Sequence, residues 1–132
     1  MKKKNTLLLF LCLFSLWAVA QEKRPVKIAC VGNSITYGSG IKNQFQNSYP
    51  GLLSQLLGEG YDVRNFGISA RVLLNKGDHP YMHEQKFRDL LAFQPDIVTI
   101  KLGTNDSKPW NWRYGKDFKK DLTEMLDILQ EL

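Results

Sequence analysis

The sequence has few of the residues from which disulfide frameworks and metal centres are built. Its 132 residues include only two cysteines and two histidines. Cys12 lies in the apolar amino-terminal stretch, so Cys30 has no partner for an intramolecular disulfide once that stretch is removed. We expect Cys30 to be a small buried core residue. A disulfide-stapled scaffold is therefore excluded.

A large excess of basic charge is also missing from the part of the chain that should fold. Residues 1–20 are typical of a secretory signal peptide, with three lysines at the start, an apolar segment from Thr6 to Trp17 and an Ala18-Val19-Ala20 cleavage site. Removal of those three lysines lowers the formal net charge from +5 to +2. No basic stripe for nucleic acid is left, and no stable membrane span is expected after cleavage. We expect an exported protein, periplasmic or extracellular, of open oligomeric state.

Strands and helices alternate along residues 21–132. Apolar, β-branched runs predict three strands, Val26 to Val31, Tyr61 to Phe66 and Ile97 to Leu102. Helical spacing of apolar residues predicts three helices, from Ser48 to Leu57, Tyr81 to Phe93 and Phe118 to Leu132. The connections read as loops, namely Ile35 to Gln46, Ile68 to Pro80 with one helical turn near Arg71, and Lys108 to Gly115. This βαβαβα order predicts an α/β fold with a parallel sheet.

Each predicted strand ends in a glycine beside polar residues, in Gly32-Asn33-Ser34, in Gly67 and in Gly103-Thr104-Asn105-Asp106. The carboxyl ends of parallel strands meet at one edge of a sheet, where ligands bind. A serine there more often caps a helix or closes a turn, but it can also attack a carbonyl carbon. The oxyanion then formed needs fixed donors, which the backbone N–H groups of Ser34 and Gly67 and the amide of Asn105 can supply.

The three blocks resemble those of the SGNH hydrolase superfamily, the GDSL-like lipases and esterases, with Asn33 in place of the usual aspartate. The resemblance implies a flavodoxin-like three-layer α/β/α fold with strand order 2-1-3-4-5, of which only the first three β-α units are present. It implies Ser34 as the catalytic nucleophile and Ser34, Gly67 and Asn105 as the oxyanion hole, without metal or cofactor. It also implies supporting roles for Gly32, Asn33, Gly103 and Asp106, with Asp106 fixing its loop by hydrogen bonding.

The family's fourth block, an Asp-x-x-His that supplies the general base, has no match in this sequence. The only histidines, His79 and His83, lie in mid-chain, where we read them as surface residues rather than as the base or a metal pair. The third predicted strand would lie at a sheet edge, and Leu132 ends the chain within an apolar stripe. We expect residues 21–132 to be the truncated amino-terminal part of an SGNH-type esterase domain, inactive or nearly so without its base.

The function we expect is that of a secreted serine ester hydrolase acting through an acyl-serine intermediate. A short acyl group on a carbohydrate is the preferred substrate, and the aromatic loop of Trp110, Trp112 and Tyr114 would either stack on a sugar or simply pack. Two alternatives stay open. One is a non-catalytic flavodoxin-like binding module, in which the loop from Ser34 to Gly40 cradles a phosphate. The other is an inactive folded remnant.

Overall fold

A three-stranded parallel sheet forms the centre of the fold. The computed structural model describes residues 24–132, so the predicted signal peptide at 1–20 lies outside the described residues. The strands, in the order β2-β1-β3, are β1 (Val26–Gly32), β2 (Tyr61–Gly67) and β3 (Ile97–Lys101). Val26 pairs with Tyr61 and Ile28 with Ile97. The predicted α/β class, parallel sheet and 2-1-3 order are confirmed.

Helices cover both faces of the sheet. They are α1 (Ser34–Tyr37), α2 (Gln44–Asn47), α3 (Tyr49–Leu57), α4 (Gln85–Phe93), α5 (Pro109–Trp112) and α6 (Phe118–Gln130), with 3-10 turns at Tyr81–His83 and Gly115–Asp117. Helix α3 lies against β2 on one face, whereas α4 and α6 pack on the other. This gives the predicted three layers.

The hydrophobic core lies between the sheet and the layer of α4 and α6. Its buried members are Ala29, Val31, Phe66, Leu73, Tyr81, Phe87, Leu90, Phe93 and Met125. Cys30 lies between Ala29 and Val31, so its side chain points to the other face of the sheet. It is a fully buried free thiol, as predicted. Among the described residues 24–132, no helix has the length and apolar character to cross a membrane.

Two of the predicted loops contain short helices, and one predicted helical turn is absent. Helix α1 begins inside the first predicted loop because Asn33 Oδ1 accepts a hydrogen bond from the N–H of Ile35 at 3.1 Å, which caps the turn. The segment from Ile68 to Pro80 contains no helix. Its Val72, Leu73 and Leu74 are buried instead. A carboxylate from another loop accepts from the N–H groups of Leu73 and Leu74, and the N–H of Val72 donates to His79 O at 3.0 Å.

Two predicted helices also differ in detail. The helix predicted from Tyr81 starts as a 3-10 turn, and α4 begins only at Gln85. In α3 the predicted leucine stripe divides, since Leu52 is 46% and Leu56 83% exposed. Helix α3 packs mainly on β2, so the part of the helix that carries these two leucines extends beyond the sheet and stays exposed.

Candidate active site

Ser34 lies directly after β1, at the first position of α1, and is half-buried. Gly32 lets the chain turn there, since a Cβ at Gly32 would overlap Thr36 Oγ1 and lie 2.7 Å from the carbonyl oxygen of Lys101. The N–H of Asn33 donates to that same oxygen at 3.3 Å, which extends the β1–β3 ladder to the residue before Ser34. The backbone N–H of Ser34 has no partner within residues 24–132.

The end of β2 packs directly on α1. A Cβ at Gly67 would lie 2.7 Å from the carbonyl carbon of Thr36 and would overlap the backbone nitrogen of Tyr37. Asn65 Nδ2 donates to the oxygen of Thr36 at 2.9 Å, and the N–H of Ile68 donates to Gly32 O at 3.0 Å. The structure therefore brings Gly67 beside the Ser34 turn, as expected.

The N–H of Gly67, however, already has a hydrogen-bond partner. It donates to Asn65 Oδ1 at 2.8 Å, in a turn in which the asparagine side chain replaces a backbone acceptor. An oxyanion could bind this N–H only after that bond broke. The predicted role of Gly67 as a donor therefore conflicts with its present contact, although its role in shaping the turn is evident.

The three residues after Ile68, Ser69 to Arg71, are a part of the site that sequence reasoning missed. Ala70 has a φ of 67°, a left-handed conformation that is uncommon for alanine. The N–H groups of these three residues make no hydrogen bond to any described part of the chain. Ser69 Oγ lies 2.6 Å from Ser39 Oγ, two residues beyond α1. A strained turn with free N–H groups thus lies next to the Ser34 turn.

Asn105 is oriented by two backbone contacts. Its Nδ2 donates one hydrogen to the backbone carbonyl oxygen of Arg71 at 3.0 Å. The backbone carbonyl of Asn105 accepts from Asn111 Nδ2 at 3.0 Å. A primary amide has two N–H donors, so the second hydrogen on Nδ2 stays available. Asn105 is 9% exposed, which leaves it little room to reorient. The blocks containing Gly67 and Asn105 therefore meet, as their predicted positions at one sheet edge require.

Asp106 is fully buried and joins the loops that follow β2 and β3. Its carboxylate accepts from the N–H groups of Leu73 at 2.9 and 3.0 Å, Leu74 at 2.8 Å and Gly103 at 3.1 Å. Hydrogen bonds to a carboxylate are stronger than those between neutral groups. The structure thus shows Asp106 fixing its loop, the role that the sequence predicted, and Gly103 taking part in it.

Two further buried polar residues, which the sequence analysis did not select, reinforce this junction. Asn111 Oδ1 accepts from the N–H of Asp78 at 2.9 Å, while its Nδ2 donates to Asp78 Oδ1 and to Asn105 O, both at 3.0 Å. Asp121 Oδ2 accepts from the N–H of Asn75 at 2.8 Å. Asn111 lay in a predicted aromatic loop and Asp121 on the polar side of a predicted amphipathic helix, so no local pattern marked either of them.

The aromatic loop makes mostly structural contacts. Trp110 Nε1 donates to Asp78 Oδ2 at 3.0 Å, and the ring of Trp112 lies 6.0 Å from that of Phe118. The two indoles remain 55% and 53% exposed. Tyr114 lies under the guanidinium of Arg113, 4.7 Å from its ring centre.

The two histidines are not part of this arrangement. His79 and His83 are both exposed, and in the described range no hydrogen bond links either imidazole to Ser34. Residues 24–132 also contain no group of three His, Cys, Asp or Glu side chains close enough to hold a metal ion. The contacts that link the Ser34 turn, the turn at Ala70 and Asn105 therefore involve neither imidazole.

A cleft of about 540 Å³ opens beside the segment from Gly67 to Arg71. Its lining comes from α1, from this segment and from the start of α4, and includes Tyr37, Ile68, Ser69, Arg71, Glu84 and Asp89. Its volume falls within the range of small-molecule sites. The cleft therefore adjoins the turn that carries Ser34.

The chain is similar to known proteins in sequence and in fold. The chain is 54% identical over 111 residues to an acetylxylan esterase of Xylanibacter ruminicola, an alignment that covers 84% of this chain and 23% of that relative. In structure it is similar to the SGNH-hydrolase family esterase AlinE4, with a TM-score of 0.60, 23% identity, and coverage of 85% of this chain and 56% of the other. A mutant of the same esterase gives a TM-score of 0.61 at the same identity and coverage.

The chain thus spans about a quarter of the curated relative and just over half of these solved structures. The solved structures support the fold alone. The family profile of the GDSL-like lipases and acylhydrolases matches residues 30–132, a segment that contains all three blocks. By this match and by the identity to the curated relative, the chain belongs to the GDSL-like lipase/acylhydrolase family.

Proposed function

We propose that this chain carries the nucleophile and the oxyanion hole of a serine ester hydrolase. The observation that carries the proposal is the convergence, at one sheet edge, of the Ser34 turn, a turn with free N–H groups and the oriented amide of Asn105. Acyl transfer to a serine requires these parts, because negative charge develops on the carbonyl oxygen as the hydroxyl attacks.

In this reaction Ser34 Oγ bonds to the ester carbonyl carbon, and the alkoxy group then leaves with a proton to give the acyl-serine. Water releases the acid in a second step. The oxyanion receives hydrogen bonds from the N–H of Ser34 and the free Nδ2 hydrogen of Asn105. We assign the remaining donor to the turn at Ala70, whose N–H needs no rearrangement, whereas that of Gly67 is bonded to Asn65 Oδ1.

A serine hydroxyl also needs a base, and the exposed positions of His79 and His83 do not favour either of them. We therefore propose that the base and its supporting carboxylate come from outside residues 24–132. Without them the positioned serine reacts slowly, since loss of one triad member costs several orders of magnitude in rate.

The substrate we propose is a short acyl ester on a carbohydrate, cleaved outside the cytoplasm. The curated relative, an acetylxylan esterase, supports the substrate class, and the predicted signal peptide at residues 1–20 supports export. The cleft beside the site is lined in part by the charged side chains of Arg71, Glu84 and Asp89, which suit a substrate rich in hydroxyl groups.

The test is covalent labelling of the chain with a fluorophosphonate probe, with and without added imidazole as a substitute base. We expect slow labelling at Ser34 that rises with imidazole concentration and is abolished in Ser34→Ala. Ser54→Ala, a serine substitution on α3, is the matched control and should label like the native chain. Labelling that persists in Ser34→Ala, or that imidazole leaves at background, would contradict the proposal.

A further inference from the structure

The cleft beside the Ser34 turn has a composition that indicates what it binds. Tyr37 is the last residue of α1, three positions from Ser34, so the two lie within one helical turn, or about 4.5 Å of rise. Arg71, on the opposite wall, is the next residue after Ala70, whose N–H is free. The cleft therefore adjoins the helical turn that begins at Ser34.

The ion pair between Arg71 and Glu84 forms a fixed polar wall of the cleft. Arg71 Nε and NH2 both lie 2.8 Å from Glu84 Oε1, and NH1 donates to the oxygen of Ser69 at 3.0 Å. The side chains are 24% and 30% exposed, so the pair faces the cleft while remaining partly buried. A half-buried, doubly held guanidinium loses little further conformational freedom when it binds a ligand.

This pair still has unused hydrogen-bonding capacity on its cleft side. A guanidinium has five N–H donors, of which two make hydrogen bonds within the described residues, so at least two donors on NH1 and NH2 stay available. Glu84 Oε2 makes no hydrogen bond within the described residues. Donors and an acceptor therefore lie side by side, which is the pattern that neighbouring hydroxyl groups of a sugar require.

The opposite wall supplies an aromatic surface. The ring of Tyr37 is 37% exposed and lines the cleft, whereas the two indoles of the aromatic loop do not. An aromatic face covers the C–H side of a sugar ring, and the ion pair opposite can bind its hydroxyls. The charged side chains of Lys86 and Asp89 also line the cleft, beside Ile68 and Gln85.

We propose that the cleft between Tyr37 and the Arg71–Glu84 pair binds the sugar of the ester, which leaves as the alcohol. This inference rests on the proposed function and makes that function specific, because it places the sugar here and not on Trp110 and Trp112. Tyr37, Arg71 and Glu84 then determine specificity, while Ser34 and the oxyanion donors perform the chemistry.

Titration of the ¹⁵N-labelled chain with partially acetylated xylotriose at millimolar concentration tests this by NMR. We expect the largest shifts at the Arg71 Nε–H and the backbone of Tyr37 and Ser69, with little change at the Trp110 indole N–H. Largest shifts at the Trp110 indole would overturn the proposal and favour the aromatic loop. Absence of shifts in the cleft would also overturn it.

Variants with matched controls separate a binding role from a structural one. Tyr37→Ala should weaken binding about tenfold, the equivalent of about 1.4 kcal/mol, whereas Tyr37→Phe keeps the ring and should stay close to native affinity. Tyr61→Ala is the control, since Tyr61 is 39% exposed at the far end of β2. Equal weakening by Tyr37→Ala and Tyr61→Ala would contradict the proposal.

A second pair of variants tests the ion pair. Arg71→Ala should weaken binding by about fivefold or more, while Arg64→Ala, which removes an exposed ion pair to Asp62 on β2, should not. Ser34 labelling is measured on the same samples. Labelling at Ser34 without cleft binding would refute only this inference, whereas cleft binding without labelling would refute only the proposed hydrolase.

Discussion

The turn that carries Ser34 and the two loops that flank it are held in place by different kinds of contact. The turn depends on missing side chains, because Gly32 and Gly67 allow backbone segments to approach more closely than any Cβ permits. The loops depend on buried polar side chains, chiefly Asp106 and Asn111, that replace the hydrogen bonds of regular structure. Ser34 is thus positioned by steric fit, and the amide of Asn105 by hydrogen bonding.

This difference has an energetic consequence. Where two backbone segments lie close together, an added side-chain atom destabilises the fold by steric overlap. Where a buried side chain accepts hydrogen bonds, its removal destabilises the fold, because every N–H that it leaves unpaired remains desolvated. The two halves of the site therefore respond to opposite changes, additions in the turn and deletions in the loops.

The largest effect should come from Asp106→Ala. The substitution leaves the N–H groups of Leu73, Leu74 and Gly103 buried without their acceptor, so the free energy of unfolding should fall by about 3 to 5 kcal/mol. Urea unfolding measures it. Asp127→Ala, an exposed position on α6, should change stability by less than about 0.5 kcal/mol. Similar losses in both variants would remove the distinction between loop and turn.

Gly67→Ala should have the next largest effect, now on the turn. The new methyl group overlaps the backbone of α1, and we expect a loss of about 2 to 3 kcal/mol in the same measurement. Gly60→Ala is the matched control, because a Cβ there meets nothing within 4 Å. A Gly67→Ala variant as stable as Gly60→Ala would show that close approach is not what holds the turn.

Asn111→Asp should have a smaller effect, confined to the loops. It removes the donors to Asn105 O and to Asp78 Oδ1 and places a second carboxylate beside that of Asp78, at a cost of about 2 kcal/mol. Asn47→Asp loses one exposed hydrogen bond and should cost much less. Because Asn111 holds the backbone of Asn105, its replacement should also lower the rate of Ser34 labelling, which the Asn47 variant should not do.

The smallest effect concerns a surface contact outside both regions. The two hydrogen bonds that Arg24 donates at 2.7 Å, with one from the Lys27 N–H at 2.8 Å, hold the pKa of Asp96 well below its usual range. A carboxyl with a depressed folded-state pKa stabilises the fold above its unfolded pKa of about 3.9, and this contribution is lost as pH falls further. Urea unfolding from pH 6 to pH 3 should show a smaller decline for Asp96→Asn than for the native chain. An equal decline would contradict the assignment.

The sequence predicted the sheet better than the loops, for a physical reason. The strands are set by runs of β-branched residues such as those around Ile28 and Val98, a local pattern that burial on parallel strands favours. The family blocks likewise identified Ser34, Asn105 and Asp106, and the structure brings their loops together. These features are expressed in short stretches of chain.

The missed features depend on partners that are distant in sequence. Val72 to Leu74 looked like part of a polar loop, yet they are buried, and the distant carboxylate of Asp106 accepts from the N–H groups of Leu73 and Leu74. Nothing near Asn111 shows that it will bind Asp78 and Asn105. A left-handed conformation is expected at a glycine, so the alanine at position 70 gave no sign of the turn.

The register of the sheet also governs the time at which the site can form. The central strand pairs Val26 with Tyr61 and Ile28 with Ile97, so both of its neighbours come much later in the chain. Parallel pairing of this kind requires long loop closures before it gains any contacts, and such topologies fold slowly. During synthesis the Ser34 turn therefore emerges early but has to wait for β3 and the loop after it. The Ser34 turn is therefore made early in synthesis, whereas the amide of Asn105, a donor of the proposed oxyanion hole, reaches its position late.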